Sequence, residues 1–266
     1  MGIDCHAHVF KGDLNFAKDL RYKPPYDAPI ADYLAMLDGN KMSYGVLIQP
    51  SFLGTDNSYL LSALRMAPER LRGVAVVETS ISTEELRNLD RQGCVGIRLN
   101  LVGKPNPVFD QGDWPDHLAR LVDLNWQIEI QAESKRWPDL LSPLLAKGAT
   151  VVADHFGLPD KTAGVDDPGF RHLLSTGTTG RVWAKVSGYY RSGSNGEQIA
   201  KAAYPLLRDA LGNDHLVWGS DWPHTAFENV VTPTSARQFL DFLVPDEKER
   251  RIILTDAPAR LFRFPI

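Results

Sequence analysis

Short runs of apolar residues recur along the chain at nearly even spacing, with polar stretches between them. They begin near eight positions: Gly2, Tyr44, Leu71, Cys94, Asn125, Thr150, Val182 and His215. The seven intervals from residue 2 to residue 215 average about 30 residues, the length of a β-strand with its following helix. Residues 46–48 and 74–77 are apolar at consecutive positions, which is typical of strands covered on both faces. The pattern predicts a parallel sheet.

Segments with helical periodicity fill most of the intervals. The predicted helices are 58–67, 82–93, 114–124, 137–147, 170–174, 197–211 and 235–243. Ser82 and Glu85 form a capping-box pattern at the start of the second, and Pro205 is expected to kink the sixth. Residues 244–266 are predicted to form a last helix and tail at the bottom of the fold.

Alternating strands and helices over this length predict an α/β fold, a (β/α)8 TIM barrel, as a single domain spanning residues 1–266. An open doubly wound sheet is the alternative, but no Gly-x-Gly-x-x-Gly follows the first strand. Residues 11–29 and 103–112 each follow a strand. Because such loops build the active-site face of a barrel, we expect both to enclose a substrate.

Charge and composition narrow the class of partner. The net charge of −4 and the pI near 6.0 do not indicate a protein that binds nucleic acid or acidic membranes. No run approaches the roughly 18 to 20 apolar residues of a membrane span, and the first residues do not resemble a signal peptide. We therefore expect a cytoplasmic protein, with Cys5 and Cys94 as buried thiols rather than a disulfide.

Three strand ends carry side chains that suit one catalytic centre. His6 and His8, at i and i+2 in an extended segment, project from the same face of the first strand. His155 follows the sixth strand and Asp221 the eighth. Each alone is equally well explained as a polar residue capping a loop. In a barrel the four would ring one pocket, able to bind a divalent metal or to direct hydrogen bonds at one oxygen.

Cations follow two of the predicted strands. Arg98 ends the fourth strand, Lys104 lies in the next loop, and Arg191 comes after the seventh strand. A guanidinium inside an apolar strand is costly unless an anion faces it, and either a substrate carboxylate or Glu129 or Glu133 would serve. The other two cations contact substrate or are simply solvated. If all three face the pocket, the substrate carries at least one carboxylate or similar anion.

Other polar side chains are candidates for the pocket wall: Gln131, Ser51, Tyr22 and His224. Gln131 ends the fifth strand, where a metal-binding barrel would profit from a histidine, and an amide is a poor ligand for a transition metal. Ser51 fits a loop hydrogen bond equally well, and Tyr22 a packing role. The remaining histidines are predicted at the surface: His117, His172 and His215.

Together these segments resemble the amidohydrolase superfamily, whose barrels carry His-x-His after strand one, His after strand six and Asp after strand eight. The closer similarity is to its 2-pyrone-4,6-dicarboxylate lactonase branch and extends from the first strand to the last. It rests on five motifs: Asp4-Cys5-His6-Ala7-His8-Val9-Phe10, Gly54-Thr55-Asp56-Asn57, Gly96-Ile97-Arg98-Leu99-Asn100, Asp154-His155-Phe156-Gly157 and Trp218-Gly219-Ser220-Asp221-Trp222-Pro223-His224.

The resemblance implies lactone hydrolysis without a metal. It implies that Asp221 takes a proton from water while three histidines donate hydrogen bonds to the lactone carbonyl: His6, His8 and His155. An aspartate is ionised at neutral pH, and fixed donors stabilise a developing oxyanion. The resemblance also assigns substrate carboxylates to three cations: Arg98, Lys104 and Arg191.

The chain departs from that branch at two positions. Leu158 stands in place of an arginine, and Gln131 in place of an aromatic residue. The missing arginine would leave a second carboxylate unpaired. The sequence therefore predicts another anionic lactone, from aromatic or sugar-acid catabolism, rather than the dicarboxylate pyrone.

Other functions stay open. A metal-dependent hydrolase or decarboxylase would hold Zn²⁺ or Mn²⁺ on a set of four ligands: His6, His8, His155 and Asp221. A lactone isomerase would need only acid and base groups, and a barrel that binds a small acid without turnover is a further alternative. Three points favour a metal-free site: Gln131, repulsion from Arg98, and the expectation that no lysine or glutamate stands at a strand end to bridge two ions. The oligomeric state stays open between a monomer and a small homo-oligomer.

Overall fold

The structure is a computed structural model that describes residues 2–17 and 22–265. Parallel strands form one sheet in chain order: β1 (Ile3–Ala7), β2 (Tyr44–Ile48), β3 (Leu71–Ala75), β4 (Cys94–Asn100), β5 (Gln127–Gln131), β6 (Thr150–Ala153), β7 (Val182–Lys185) and β8 (Leu216–Val217). The barrel closes where the amide of Cys5 donates to the carbonyl of Trp218 at 2.9 Å and Ala7 pairs with Trp222. The predicted (β/α)8 barrel is confirmed, and every strand begins within two residues of its predicted start.

Helices lie between the strands and cover the outside of the barrel: α1 (Ile30–Gly39), α2 (Ser58–Met66), α3 (Thr83–Arg91), α4 (Trp114–Asp123), α5 (Trp137–Ala146), α6 (Pro168–Ser175), α7 (Gly196–Leu211), α8 (Pro233–Leu243), α9 (Glu247–Arg251) and α10 (Ala257–Phe262). The seven predicted helices are present with ends within two residues, and α1 is an addition to them. The capping box is confirmed, because Ser82 Oγ accepts from the Glu85 amide at 3.2 Å and Glu85 accepts from the Ser82 amide at 2.9 Å.

The lower half of the barrel interior is apolar. Its side chains, called here the apolar layer, come from alternate strand positions: Ile3, Cys5, Val46, Ile48, Val74, Val95, Val152, Trp183 and Val217. Phe262 and Phe264 pack against this layer from below, so the C-terminal segment closes the bottom as predicted. It does so through α9, a π-helical turn at Ile252–Asp256 and α10, rather than through one helix.

The upper half of the interior is charged. Strand alternation turns Glu129 inward while Ile128 and Ile130 pack outward against helices. The same period brings Asp154 and Lys185 to this level, and His6 and Arg98 join them from strands whose pairing register is irregular. These side chains are called here the charged layer: His6, Arg98, Glu129, Asp154 and Lys185, none more than 4% exposed. The candidate site therefore rests on buried charges.

Of two smaller predictions, one is confirmed and the other is partly wrong. Cys5 and Cys94 are free, buried thiols, as predicted. The prediction that His117 lies at the surface is wrong: its side chain is buried on the inner face of α4, beside Leu118 and Leu121. His172 and His215 are partly exposed. Between residues 2 and 17 and between 22 and 265, the structure contains no helix long and apolar enough to cross a membrane.

Candidate active site

His8 is held in one tautomer by β2. Its Nδ1 lies 2.8 Å from the carbonyl oxygen of Ile48, and since a carbonyl only accepts, Nδ1 carries the hydrogen. Burial, with Arg98 nearby, lowers the pKa of His8 to about 3, so the ring is neutral at pH 7. Nε2 of His8 is then bare and lies 3.3 Å from Nε2 of His6. As arranged, Nε2 of His8 accepts hydrogen bonds, whereas the family resemblance implies a donor.

His155 and Asp221 both have left-handed backbones, with φ of 52° and 61°. Such strain in non-glycine residues is typical of functional sites. The turn after β7 supports His155: Ser187 Oγ lies 3.2 Å from its Nδ1, and a side chain at Gly188, whose φ is 58°, would collide with the ring. Burial lowers the pKa of His155 to about 4. The His155 ring lies 4.9 Å from that of His6, so strand ends one, six and eight meet as predicted.

Asp221 is a buried carboxylate with every oxygen engaged. Arg191 donates to Oδ2 from Nε at 2.6 Å and to Oδ1 from Nη2 at 2.9 Å, and the hydroxyl of Tyr190 donates to Oδ2 at 2.6 Å. Nε2 of His6 lies 3.8 Å from Oδ1. Burial alone would raise the pKa of Asp221, but Arg191, His155 and His6 together outweigh burial and hold this pKa well below its usual range. Asp221 is therefore ionised, and Arg191 lowers its basicity.

A cavity of about 300 Å³ opens above these groups. Its wall includes His8 and six of the predicted contact residues: Tyr22, Ser51, Arg98, Lys104, Gln131 and Arg191. His224 does not line this cavity; it is buried behind it, with Nδ1 3.2 Å from the Tyr190 hydroxyl. The cavity also has apolar walls at Phe52 and Phe227. Most of the predicted site residues thus form the cavity wall, and His6, His155 and Asp221 lie buried next to His8 of that wall.

Arg98 is held at the cavity by two neutral hydrogen-bond partners and by a longer ion pair, in which its Nη2 lies 3.8 Å from Oδ2 of Asp154. Its Nη2 donates to Oε1 of Gln131 at 2.7 Å and its Nη1 to the carbonyl of Gln49 at 3.4 Å. Neither glutamate considered from the sequence makes this pair: Glu133 pairs with Arg136 at 3.1 Å, and Glu129 contacts Lys185. Nε of Arg98 is buried and has no hydrogen-bond partner among the described residues. The residue can therefore take an anion.

Three charged residues of the site escaped sequence analysis. Lys185 ends β7, with Nζ 3.0 Å from Nδ1 of His6, and it forms an ion pair with Glu129 of β5. Asp154 Oδ1 lies 3.3 Å from the same nitrogen. The expectation that no lysine or glutamate stands at a strand end is therefore wrong. Glu129 and Lys185 could have been found from the sequence, because each is a single charge between apolar residues of a predicted strand, in segments 127–131 and 182–186.

The four predicted ligands do not fit a divalent metal in this arrangement. Ligand atoms of two sets of side chains lie within 4.8 Å of one another: His6, His8 and Asp221 in one, and His6, Asp154 and His155 in the other. Yet Arg191 already binds both oxygens of Asp221, and the Lys185 ammonium faces Nδ1 of His6. To bind a metal, Asp221 would have to release Arg191 and His6 would have to release Lys185.

The sequence and the fold of this chain are similar to those of known proteins. The chain is 31% identical to a 2-pyrone-4,6-dicarboxylate hydrolase of Comamonas testosteroni, covering 98% of this chain and 89% of the relative. It is 30% identical to a 4-sulfomuconolactone hydrolase of Rhizobium radiobacter, covering 97% and 89%. A solved structure from Acinetobacter baumannii, described as a "probable 2-pyrone-4,6-dicarboxylic acid hydrolase" with citric acid bound, is 39% identical with a TM-score of 0.95, covering 99% of both chains.

The family model described as amidohydrolase matches residues 3–264, from the first strand of the barrel to its closing segment. This range contains every residue of the site: both histidines of β1, His155, Asp221 and the cations of the cavity. The chain therefore belongs to the amidohydrolase family.

Proposed function

We propose that this protein hydrolyses the ring ester of a lactone that carries a carboxylate or similar anion. One observation carries the proposal: His8 lines a cavity whose wall presents Arg98 and Lys104, and it stands in one buried cluster with the ionised Asp221 and two further neutral histidines, His6 and His155. A carboxylate accepts a proton from water, and a guanidinium binds a carboxylate through paired hydrogen bonds. The site thus has a base and an anion anchor within one cavity.

The relatives support this class of substrate. Two are named as hydrolases, of a pyrone dicarboxylate and of a sulfomuconolactone, and both named substrates are anionic lactones. A third was solved with citric acid, a carboxylate compound. Their similarity covers nearly the whole chain, including the segments that form the cavity.

In the proposed reaction, a water oxygen attacks the ring carbonyl carbon while its proton passes to Asp221. The carbonyl oxygen becomes an oxyanion, and N–H groups of His6 and His155 donate to it. Such donors, fixed before the reaction, each contribute about 2.7–4 kcal/mol in well-studied acyl-transfer sites. The ring C–O bond then breaks, and the leaving oxygen takes the proton from Asp221. Ring opening yields a hydroxyl group and a carboxylic acid, which releases its proton to solvent as a carboxylate, and it regenerates the base.

Arg191 links substrate charge to the base. In the free enzyme it holds both oxygens of Asp221, which lowers the basicity of that carboxylate. Arg191 also lines the cavity, so a substrate anion competes with Asp221 for its guanidinium. A neutral lactone offers no such competition. We therefore propose that anionic lactones are turned over faster than their neutral esters.

One anchored carboxylate fits the cavity better than two. Arg98 lines the cavity, and Gln131, whose amide oxygen accepts from Arg98, keeps its amide N–H groups for the same wall, near Lys104. Leu158, which replaces an arginine of the family pattern, adds no charge and lies outside the described cavity wall. The proposed substrate therefore carries one carboxylate near the reacting ring.

The test is a panel of lactones with and without a carboxylate, assayed in ¹⁸O-labelled water before and after exhaustive chelation. We expect ring opening of anionic members, one ¹⁸O atom in the new carboxylate, and unchanged rates after chelation. Turnover without ¹⁸O would identify an isomerase. Loss of activity that returns with Zn²⁺ or Mn²⁺, with near-stoichiometric metal in the untreated protein, would identify the metal-dependent alternative. No turnover of any member would refute the proposal.

The compartment and assembly remain part of the proposal. Two buried free thiols, Cys5 and Cys94, are consistent with the cytoplasm, where thiols stay reduced. We propose a cytoplasmic monomer or small homo-oligomer, which size-exclusion chromatography with light scattering would distinguish.

A further inference from the structure

Lys185 is the most deeply buried cation of the barrel interior among the described residues. It ends β7 and is 0% exposed, in contact with the carboxylate of Glu129. Its Nζ lies 3.0 Å from Nδ1 of His6 and 3.5 Å from Oδ1 of Asp154. An ammonium has three hydrogens and no lone pair, so in its contact with the ring nitrogen Lys185 donates. Nδ1 of His6 must then accept.

The two carboxylates beside His6 do not offer an equal alternative. Asp154 Oδ1 and Glu129 Oε1 lie 3.3 and 3.4 Å from Nδ1, which is close enough for a hydrogen bond by distance. Yet neither oxygen has a hydrogen-bond partner of acceptable geometry within the described part of the chain. Both oxygens lie off the direction of an N–H on Nδ1, and Asp154 acts on the ring chiefly through its charge. Lys185 is the group that meets the lone pair of Nδ1.

A neutral imidazole carries one hydrogen, so an accepting Nδ1 leaves it on Nε2. Burial, reinforced by Lys185, lowers the pKa of His6 well below its usual range, which keeps the ring neutral. Nε2 of His6 then donates to the bare Nε2 of His8, 3.3 Å away, and His8 in turn donates to Ile48. The chain of donors runs in one direction, from Lys185 through both histidines to a backbone carbonyl.

We propose that Lys185 is a positioning residue that sets the tautomer of His6, so that Nε2 carries a hydrogen toward the substrate oxygen and has no lone pair for a metal ion. This inference rests on the proposed lactone hydrolysis for its benefit to catalysis. When a lactone carbonyl enters, its oxygen takes the N–H of His6 in place of His8. A metal on His6 Nε2 would require a hydrogen on Nδ1, where the Lys185 ammonium stands.

The double variant Lys185→Met with Glu129→Gln removes the hydrogen bond from Lys185 to His6. It removes one positive and one negative group together. In it Nδ1 of His6 loses its donor and can donate to Asp154, which moves the bare nitrogen to the site. The companion variant Lys185→Arg keeps a cationic donor. Lys201→Met, a matched change at a partly exposed lysine of α7, is the control.

The measurement is the ¹⁵N spectrum of imidazole-labelled protein, with the His6 signals assigned by their absence in His6→Gln. We expect the Nε2–H form in wild type, Lys185→Arg and Lys201→Met, and the Nδ1–H form in the double variant. The double variant should also lose about 10²-fold in kcat with little change in KM, as expected on losing one oxyanion donor. By elemental analysis, it should retain Zn²⁺ near one per chain after dialysis, while wild type retains none.

A wild-type His6 in the Nδ1–H form would overturn the proposal, as would a double variant that keeps the Nε2–H form. If the double variant does not fold, Lys185→Met alone, examined by the same spectrum, decides the point. If neither variant folds, the wild-type spectrum decides it. These readouts do not depend on the reaction. A wild-type protein that opens no lactone refutes the proposed function while the spectrum still tests Lys185.

Discussion

The two halves of the barrel interior are built by the same strands and have opposite chemistry. On β7, Trp183 belongs to the apolar layer and Lys185, two positions later, to the charged layer. On β6 the same step leads from Val152 to Asp154. Both layers are equally closed to solvent. Burial alone therefore does not separate them.

The difference lies in what burial costs. An apolar side chain gains roughly 25 cal/mol per Å² of surface removed from water. A buried charge loses hydration, and its partners often only offset that loss. The charged layer is thus a poor way to stabilise a barrel, and its position directly under the cavity indicates that it serves the reaction. The apolar layer carries stability. Substitutions in the two layers should separate these contributions.

The largest effect is expected from Asp221→Asn. An amide does not take a proton at neutral pH, so kcat should fall by about 10²- to 10⁴-fold, the usual contribution of general base catalysis. Steady-state kinetics on the best lactone of the panel measure the loss, and a thermal melt checks the fold. Asp209→Asn, an exposed carboxylate of α7, is the control. Near-full turnover by the Asp221 variant would remove this residue from the role of base.

Ile3→Ala should have the opposite effect, a loss of stability without a loss of turnover. Ile3 lies in the apolar layer, on the strand that carries His6. Ile3 is 0% exposed, and loss of a buried isoleucine typically costs about 2–5 kcal/mol of unfolding free energy. Turnover per folded molecule should stay close to wild type, because the residue lies below the charged layer. Urea unfolding measures the cost, with Met66→Ala, 62% exposed, as control. Lost turnover in a folded, stable variant would show that the layers are not independent.

Arg98→Met tests the anion anchor at the boundary between charged layer and cavity. A hydrogen bond to a charged group is worth about 1.5–3 kcal/mol, so kcat/KM for an anionic lactone should fall about 10- to 100-fold. A neutral ester of the same lactone should lose less. Arg251→Met, at a side chain 74% exposed, should leave both rates unchanged. Small, equal effects at both arginines would make Arg98 a structural residue.

His117→Leu should have the smallest effect and concerns a buried polar group outside the site. Neither ring nitrogen of His117 has a partner among the described residues, and burial lowers its pKa to about 4. Between pH 6.5 and 4 the unfolded chain binds a proton that the folded protein does not, so wild type loses stability as the pH falls through that window. The variant should gain about 1 kcal/mol of unfolding free energy at pH 7.

This gain should grow toward pH 4. Urea unfolding at pH 7 and pH 5 compares the two proteins, and His172→Leu, on a partly exposed histidine of α6, is the control. A gain independent of pH would mean that His117 is charged or hydrogen-bonded in the folded state.

The fold and the outline of the site were accessible from sequence because both depend on local periodicity. Short apolar runs at nearly even spacing marked the strands, and the capping box at Ser82 marked a helix start. Once the strands form a barrel, their ends share one face, so His6, His155 and Asp221 meet without further information. The helix α1 was missed because the sequence from 30 to 39 follows a long polar loop and carries no side-chain cap.

What the tertiary structure alone decided is which partner each polar atom faces. Ile48 sets the hydrogen of His8 from forty residues away, Lys185 reaches His6 across the closed barrel, and Arg191 covers Asp221. These contacts depend on register, strand tilt and side-chain rotamers, which no local pattern encodes. The sequence by itself determined a barrel with two histidines, a third histidine and an aspartate at its mouth. Closure of the barrel decided which of those nitrogens donate, because in a dry interior a hydrogen is placed by the nearest lone pair or ammonium.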